Sequence, residues 1–388
     1  VSIAKLVPIA EFCQTGSGTT PSRKKQDAYY GGSVPWVKSG ELRETLITTT
    51  EESVTEQALR ETSLRLAPKG ALLVAMYGAT VGRVARLGIT ATTNQAVCHI
   101  VPDPKRADEQ YLFHALKAKA PELIGRGVGG AQPNISQGTI KDTAIFLPPV
   151  PEQRRIAAIL DQADALRRLR RQSLSRLSDL GQAKFDEAFG KVQGTVPLED
   201  AVKDTLIGLV RDAEEFGNEF AYPYVRMDAI TRNGQFVPAL VQKTDADRLE
   251  LERYALVDGD LLFNTRNSRD LVGKTAIFRG MPGAVFNNNI MRIRFNQKWD
   301  PVFVEAYFRS RAGARELEKR KSGTTSVWAV YWSKLKSFPL PEVEYETQLE
   351  FRRFIEATWI QEESLKVEQS KYESLFASLQ HRAFRGEL

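Results

Sequence analysis

A set of short strings that returns in the same order is the strongest constraint on this chain of 388 residues. Val7-Pro8-Ile9 comes back as Val196-Pro197-Leu198, an offset of 189, and Pro35-Trp36-Val37-Lys38 as Pro223-Tyr224-Val225-Arg226, offset 188. Gly70-Ala71-Leu72-Leu73 matches Gly259-Asp260-Leu261-Leu262 at 189, and Gly82-Arg83-Val84-Ala85 matches Gly273-Lys274-Thr275-Ala276 at 191. Asn94-Gln95-Ala96 corresponds to Asn288-Asn289-Ile290 at 194, Leu147-Pro148 to Leu340-Pro341 at 193, and Ala188-Phe189 to Ala383-Phe384 at 195. Any one pair is within reach of chance. The shared order and the slow drift of the offset are not. The chain is two copies of one unit.

Each copy reads as a globular part followed by a helical part. In the globular parts, Ala71-Leu72-Leu73-Val74-Ala75-Met76 and Asp260-Leu261-Leu262-Phe263 are short apolar runs beside glycine, the pattern of buried strands. The segment 286–295 alternates at its end and predicts one half-exposed strand. Apolar residues at helical spacing predict helices over 108–120 and 301–321. After Leu147-Pro148-Pro149-Val150-Pro151, with Pro151 suited to a first helical turn, the residues Ile156, Ile159, Leu160, Ala163, Leu166 and Leu169 keep a three-or-four spacing. Leu174, Leu177, Leu180, Phe185 and Ala188 continue it, with a slip around 170–173, until Gly190 and Gly194. A second such run, from about Thr347 to Gly386, carries Phe351, Phe354, Ile355, Trp359, Leu365, Tyr372, Leu375, Phe376 and Leu379.

An amphipathic helix of that length cannot bury its stripe alone, so the two runs are expected to pair. The first ends where the second globular part begins, which requires an antiparallel pair and predicts a pseudo-two-fold relation between inverted halves. The expected fold class is α+β: two mixed α/β domains separated by two long antiparallel helices. The expected boundaries are 1–147, 148–190, 191–340 and 341–388.

Composition narrows the function classes. With 42% hydrophobic and 26% charged residues the chain is an ordinary globular one, and no apolar run approaches the ~20 residues of a bilayer span. No signal-peptide pattern stands at the start, so a cytoplasmic location is expected. Cys13 and Cys98 are too few for a disulfide framework, and His99, His114 and His381 have no zinc-site spacing. Cys98 and His99 are neighbours, but adjacent strand residues point to opposite faces. They read as a buried thiol beside a surface imidazole. Net charge +6 and pI 9.1 suit a surface that meets phosphates without demanding one.

Three stretches carry a family resemblance: Gln132-Pro133-Asn134-Ile135-Ser136-Gln137, Leu147-Pro148-Pro149-Val150-Pro151-Glu152-Gln153, and Met76-Tyr77-Gly78-Ala79-Thr80-Val81-Gly82-Arg83-Val84-Ala85. Together they resemble the target-recognition domain and its junction with the long helix in the specificity subunits of type I restriction-modification systems. The order of parts resembles that family across the whole chain. The second copy departs from it: Gly323 to Trp328 stands where the Gln-Pro-Asn element is expected, and Leu340-Pro341 is followed by a lead-in to Gln348 two residues longer. The resemblance implies a DNA-recognition subunit without catalysis, bound to two modification (methyltransferase) subunits and to restriction subunits. It implies a split double-stranded target with the helices as its ruler. No cofactor is expected in this chain; S-adenosylmethionine, ATP and magnesium belong to the partner subunits.

Guanine is read by Arg or Lys and adenine by Asn or Gln, whereas phosphates take Lys, Arg and hydroxyls. The candidates in the first copy are Lys38, Tyr77, Arg83, Gln132 and Asn134, with Thr19, Thr20, Arg23, Lys24 and Lys25 as a phosphate-gripping loop. In the second copy they are Arg226 and Lys274, matched by the repeat, and Arg266, Asn267 and Arg269, where the copies differ in length. Arg309, Arg311, Arg315, Lys319, Arg320 and Lys321 form a basic stretch read as a solvated face or a DNA-facing stripe. For Arg154, Arg155, Arg167, Arg168, Arg170 and Arg171 in the first long helix, DNA, a partner subunit and water are all open, and the sequence does not decide among them. Tyr29, Tyr30, Trp36 and Trp328 read as core rather than base-stacking residues.

Two other classes compete. An assembly scaffold would carry the same repeat with an incidental positive charge. A DNA-modifying enzyme needs a glycine-rich cofactor turn and an Asn/Asp-Pro-Pro-aromatic motif, and neither is found. Gly273-Lys274-Thr275 resembles the end of a phosphate-binding loop but has Ser268 where that loop needs glycine.

Overall fold

The computed structural model describes residues 6–127, 134–324 and 326–388. They form two compact units, Val1–Leu169 with Gln369–Leu388, and Arg170–Glu368. Each unit is mixed α/β and takes a part of both long helices. The division at 169/170 coincides with the slip in the apolar spacing of the first helix.

In the first unit a five-stranded sheet runs in the order Cys13–Ser17, Val97–Pro102, Leu72–Ala75, Val84–Leu87, Leu46–Ile47. Its central strand is covered on both faces. Leu72 and Val74 pack with Ile100, Leu112 and Leu116, while Leu73 and Ala75 pack with Val37, Ala85 and Val97. That explains an uninterrupted apolar run in place of alternation. Three further strands, Glu52–Val54, Tyr30–Val37 and Thr92–Thr93, make a second sheet. The helix Glu109–Gly125 starts under Asp108, whose carboxylate accepts from the N–H groups of Gln110 and Tyr111 at 3.0 Å. It passes the expected end at Ala120 because Leu123, one turn further, is buried in the core.

His99 is not the surface imidazole that adjacency to Cys98 suggests. Its strand lies inside the five-stranded sheet, so both faces are covered and both side chains are buried. Gly16 lies opposite, and a Cβ there would stand 2.4 Å from His99 Nε2.

The second unit repeats the plan with differences. One four-stranded sheet has the order Val202–Ile207, Ile290–Phe295, Leu261–Asn264, Thr275–Ile277; another has Phe216–Gly217, Gln242–Thr244, Tyr222–Val225, Val285–Phe286. The single strand expected over 286–295 is thus two, divided at Asn287, whose side-chain oxygen accepts from the Asn289 N–H at 2.8 Å to make a turn. The second piece is buried rather than half-exposed from Ile290 to Ile293, and Arg292 within it pairs with Asp204 at 2.5 Å. The helix expected over 301–321 is also two, Pro301–Arg309 and Arg311–Glu318. Ser310 separates them: its backbone is extended, and its hydroxyl accepts from Gly313 N–H at 3.0 Å as the cap of the second piece.

The long helices are Val150–Phe189 and Tyr345–Ala383, 40 and 39 residues, each on the order of 60 Å at 1.5 Å per residue. In the first unit Ile156, Leu160 and Ala163 pack with Phe376 and Ala383, and Arg167 pairs with Glu373 at 2.8 Å. In the second unit Phe185 meets Phe351 with ring centroids 5.2 Å apart, and Arg170 pairs with Glu368 at 2.7 Å. Within each unit the partner numbers fall as the first helix's numbers rise, so the helices pair antiparallel. Leu166, Leu169 and Leu180, expected in the buried stripe, are exposed, as are Ile360 and Val367.

A buried glutamine joins globular part to helix in both copies. Gln153 Oε1 accepts from the Asp108 N–H at 2.8 Å, and its Nε2 donates to the carbonyls of Arg106 and Pro148, each at 2.8 Å. Gln348 Oε1 accepts from the Asp300 N–H at 2.9 Å, and its Nε2 donates to Lys298 and Val343 at 3.2 and 2.8 Å. Both glutamines are fully buried. This pair fixes the repeat offset here at 195 and corrects the sequence match: Pro148 corresponds to Val343, and the second lead-in is no longer than the first. The pairing of Val7 with Ile145 and of Val196 with Leu340 gives the same offset.

Candidate nucleic-acid interface

The candidate residues of the first unit gather at one end of its main sheet. After the strand Leu72–Ala75, the Met76 N–H donates to Ala96 O at 2.8 Å, and Ile135 N–H donates to Met76 O at 2.7 Å. Those bonds set Tyr77, Gln95 and Asn134 side by side. Asn94 N–H donates to Val37 O at 2.9 Å, which brings Lys38 to the same end, and Ala75 N–H donates to Arg83 O at 2.9 Å on the return strand. The Thr20 hydroxyl bonds Gln95 Oε1, and Trp36 Nε1 donates to Thr19 O at 3.1 Å. Gln132 lies outside the described residues.

The second unit builds the same frame. Thr265 N–H donates to Asn289 O at 2.8 Å, Val330 N–H to Thr265 O at 3.0 Å, and Asn287 N–H to Val225 O at 2.9 Å. Tyr224 takes the place of Trp36, donating its hydroxyl to Leu209 O at 3.2 Å. Asn94 therefore corresponds to Asn287, an offset of 193 rather than 194, and Asn134 to Ala329. Gly82 and Gly273 both have positive φ, 78° and 86°, and a Cβ would strike Ile124 at 2.8 Å or Leu317 at 2.6 Å. No other residue suits either turn. Thr275–Ile277 continues from Gly273-Lys274 as a strand, so the likeness to a phosphate-binding loop, which feeds a helix, is only in the letters.

The side chains on this shared frame differ in how many partners already hold them. Arg83 is exposed and makes no side-chain bond among the described residues, and Asn134 is exposed. Tyr77 is half-buried against the core. Lys38 is held between Glu51 and Glu52 at 2.9 and 3.1 Å, and those hydrogen bonds hold its ammonium above the usual lysine range. Arg23 pairs with Glu52 at 2.7 Å and lies over the Tyr30 ring at 4.1 Å. Trp36 and Tyr29 are core, as their residue types suggest.

In the second unit Arg226 donates to Gln242 at 2.6 Å and lies over Phe216 at 4.5 Å. Arg269 is clamped on Glu318 at 2.8 Å and over the Trp328 ring at 4.9 Å. Lys274, matched to Arg83 by backbone, turns inward: its ammonium donates to Met227 O and Ile230 O at 2.8 and 2.5 Å, and burial pulls its pKa down. It holds a turn instead of offering a free cation. Asn267 also turns inward, donating to Asn264 Oδ1 at 3.0 Å, whereas Arg266 is exposed.

The basic stretch 309–321 divides: Arg311, Arg315 and Lys319 are exposed, as a solvated face would have them, whereas Arg309, Arg320 and Lys321 are partly buried against carboxylates. Arg309 forks onto the buried Glu305 at 2.6 and 3.0 Å, Arg320 and Lys319 share Glu316, and Lys321 pairs with Glu318. Burial pushes the Glu305 carboxyl up despite that arginine. In the first long helix Arg155 pairs with Glu152, Arg168 with Asp164, and Arg167 and Arg170 with the second helix. Residues that sequence reasoning did not single out are Gln95, which joins the first cluster, and Asn264, which organises the second. Their signal was a polar letter at the end of an apolar strand or beside a matched asparagine.

Residues 4–178 match the sequence model of a family described as type I restriction modification DNA specificity domain. Over 163 residues the chain is 32% identical to the type I restriction enzyme MjaIX specificity subunit of Methanocaldococcus jannaschii, covering 41% of this chain and 37% of that one. Against an Escherichia coli specificity subunit 26% identical, the aligned stretch is 45% of the relative, so the chain spans less than half of either. The EcoKI specificity subunit of Escherichia coli aligns at 21% identity over 99% of this chain and 89% of its own. A chain from a structural study of complex assembly and conformational transition of the type I restriction-modification system shares the fold, with a TM-score of 0.62 at 17% identity over 99% of this chain and 98% of that one.

Proposed function

We propose that this chain, whose residues 4–178 match the type I restriction modification DNA specificity domain model, is a DNA-recognition subunit of that family that reads a split target, one part with each globular region. The observation that carries this reading is the paired site. One backbone frame recurs in the two units with different side chains on it, Tyr77, Arg83 and Asn134 in one and Arg226, Arg266 and Arg269 in the other. A duplicated frame with different furniture suits two unlike half-sites, because base edges are told apart by the donor and acceptor groups set against them. Lys38, Arg23 and Lys24 would serve phosphates; Gln132, outside the described residues, is kept as a proposed DNA contact.

The chain performs no chemistry of its own. Methyltransferase and restriction subunits assemble on it and bring S-adenosylmethionine, ATP and magnesium. Among its described residues no helix is long and apolar enough to cross a membrane.

The test is DNA binding by the purified complex with its methyltransferase partner as salt rises from 50 to 200 mM. Six or more phosphate contacts would lower affinity by roughly a thousand-fold over that range, with one split sequence favoured throughout. A scaffold, the second reading, is favoured by the many cations already paired with carboxylates. It would show a flat salt response and no preferred sequence.

A further inference from the structure

The second unit steadies the loop that carries one exposed arginine with a buried amide that the first unit lacks. The strand Leu261–Asn264 ends on Asn264, which is fully buried and stands where the first copy has Ala75. Asn264 Nδ2 donates to the carbonyls of Arg266 and Asn289 at 3.1 and 3.0 Å. Its Oδ1 accepts from Asn267 Nδ2 at 3.0 Å, and Asn267 Oδ1 in turn accepts from the Ser268 N–H at 2.9 Å. One amide thus ties two points of the loop, Arg266 and Asn267, together with Asn289, to the core of the sheet.

The tie decides which way the loop's side chains face. Arg266–Asn267 pairs antiparallel with Trp328–Ala329, Arg266 opposite Ala329 and Asn267 opposite Trp328. Successive residues of a strand face opposite sides. With Asn267 drawn inward by Asn264, Arg266 is sent outward. Arg269 is held by Glu318 and Trp328, and Lys274 by two backbone carbonyls. The guanidinium of Arg266 is exposed, with no hydrogen bond or ion pair among the described residues. Its planar fork matches O6 and N7 of guanine.

Building on the proposed function, we infer that Arg266 reads a guanine in the half-site served by the second unit and that Asn264 is its positioning residue. The buried amide acts through the backbone of 265–268. Losing it leaves the arginine chemically intact but no longer aimed.

The experiment selects bound sequences from a random library with the complete complex carrying wild-type chain, Arg266→Ala, Asn264→Ala or Asn267→Ala. Wild type is expected to require a guanine at one position of one half-site. Each variant is expected to relax that position by about 5- to 150-fold, the range of one bidentate contact. The other half-site stays unchanged. Asn267→Ala keeps the test decisive if Asn264→Ala fails to fold, because it cuts one link from the loop side. A purely structural role for Asn264 would lower total binding without altering base preference, which overturns the positioning claim. If Arg266→Ala leaves both half-sites unchanged, the reader assignment falls while the proposed function stands. If the wild-type complex selects no sequence at all, the proposed function itself is what failed.

Discussion

Gln153 and Gln348 occupy one position of the repeat, and each closes the same three hydrogen bonds in a buried place. At Gln348 the environment is the harsher one. The Asp300 carboxyl beside it is pushed up by burial, against the N–H groups of the helix it caps and the Arg352 guanidinium, 3.1 Å away. Gln348→Leu removes the partners of one buried N–H and two carbonyls while keeping the volume. It is expected to destabilise the second unit by about 2–3 kcal/mol, seen as a lower urea midpoint and faster amide exchange in Pro301–Arg309. Unchanged exchange there would refute the joint. His99 offers a pH test. Burial holds its pKa below 6.5, with Arg65 adding to the effect, so the folded state disfavours the proton that the unfolded chain accepts. The contribution of His99 is therefore fully present above its unfolded value of about 6.5 and is lost progressively as pH falls from there through the lowered folded-state value. Amide exchange in Val97–Pro102 should quicken on acidification, and His99→Gln should flatten the response.

At the scale of elements, the ends of the long helices nearest their globular parts are apolar and aromatic, whereas Arg167–Glu373 and Arg170–Glu368 are charged pairs. Phe185 is buried among Phe189, Phe303 and Phe351 with centroids 5.0 to 5.2 Å apart. Phe185→Ala leaves a large void and is expected to cost about 3–5 kcal/mol, with exchange rising in 176–189 and in 345–356 together. A loss confined to one helix would show that the two do not pair there. The helices were legible because a three-or-four spacing sustained over so many residues has no other use. Their burial was not. Leu166 and Leu169 keep the spacing yet are exposed, since spacing names a face and only packing says whether it is covered. The breaks at Asn287 and Ser310 were missed for a related reason. Single polar side chains that bond their own backbone end an element without disturbing the apolar pattern around them.

At the scale of the whole chain, the duplication is legible in the letters, and the structure shows it as a shared frame. The letters misplaced the register wherever similar dipeptides stood near the true match. Leu340-Pro341 resembles Leu147-Pro148, but the hydrogen bonds of the glutamines select an alignment two residues away. The candidate site was partly legible. Lys38, Tyr77, Arg83 and Asn134 do converge, because repeat matches and loop positions carry that information. That Lys274 and Arg309 are already tied down was not legible, since a buried carbonyl or carboxylate distant in sequence leaves no local trace. If each copy reads its own half of the target, the two halves must respond separately to substitution. Sequence preference is read from the complete complex after Arg83→Ala and Asn134→Ala in the first unit alone. Relaxed bases in one half-site and an untouched second half-site are expected. Equal relaxation of both halves, or of neither, would contradict separate reading.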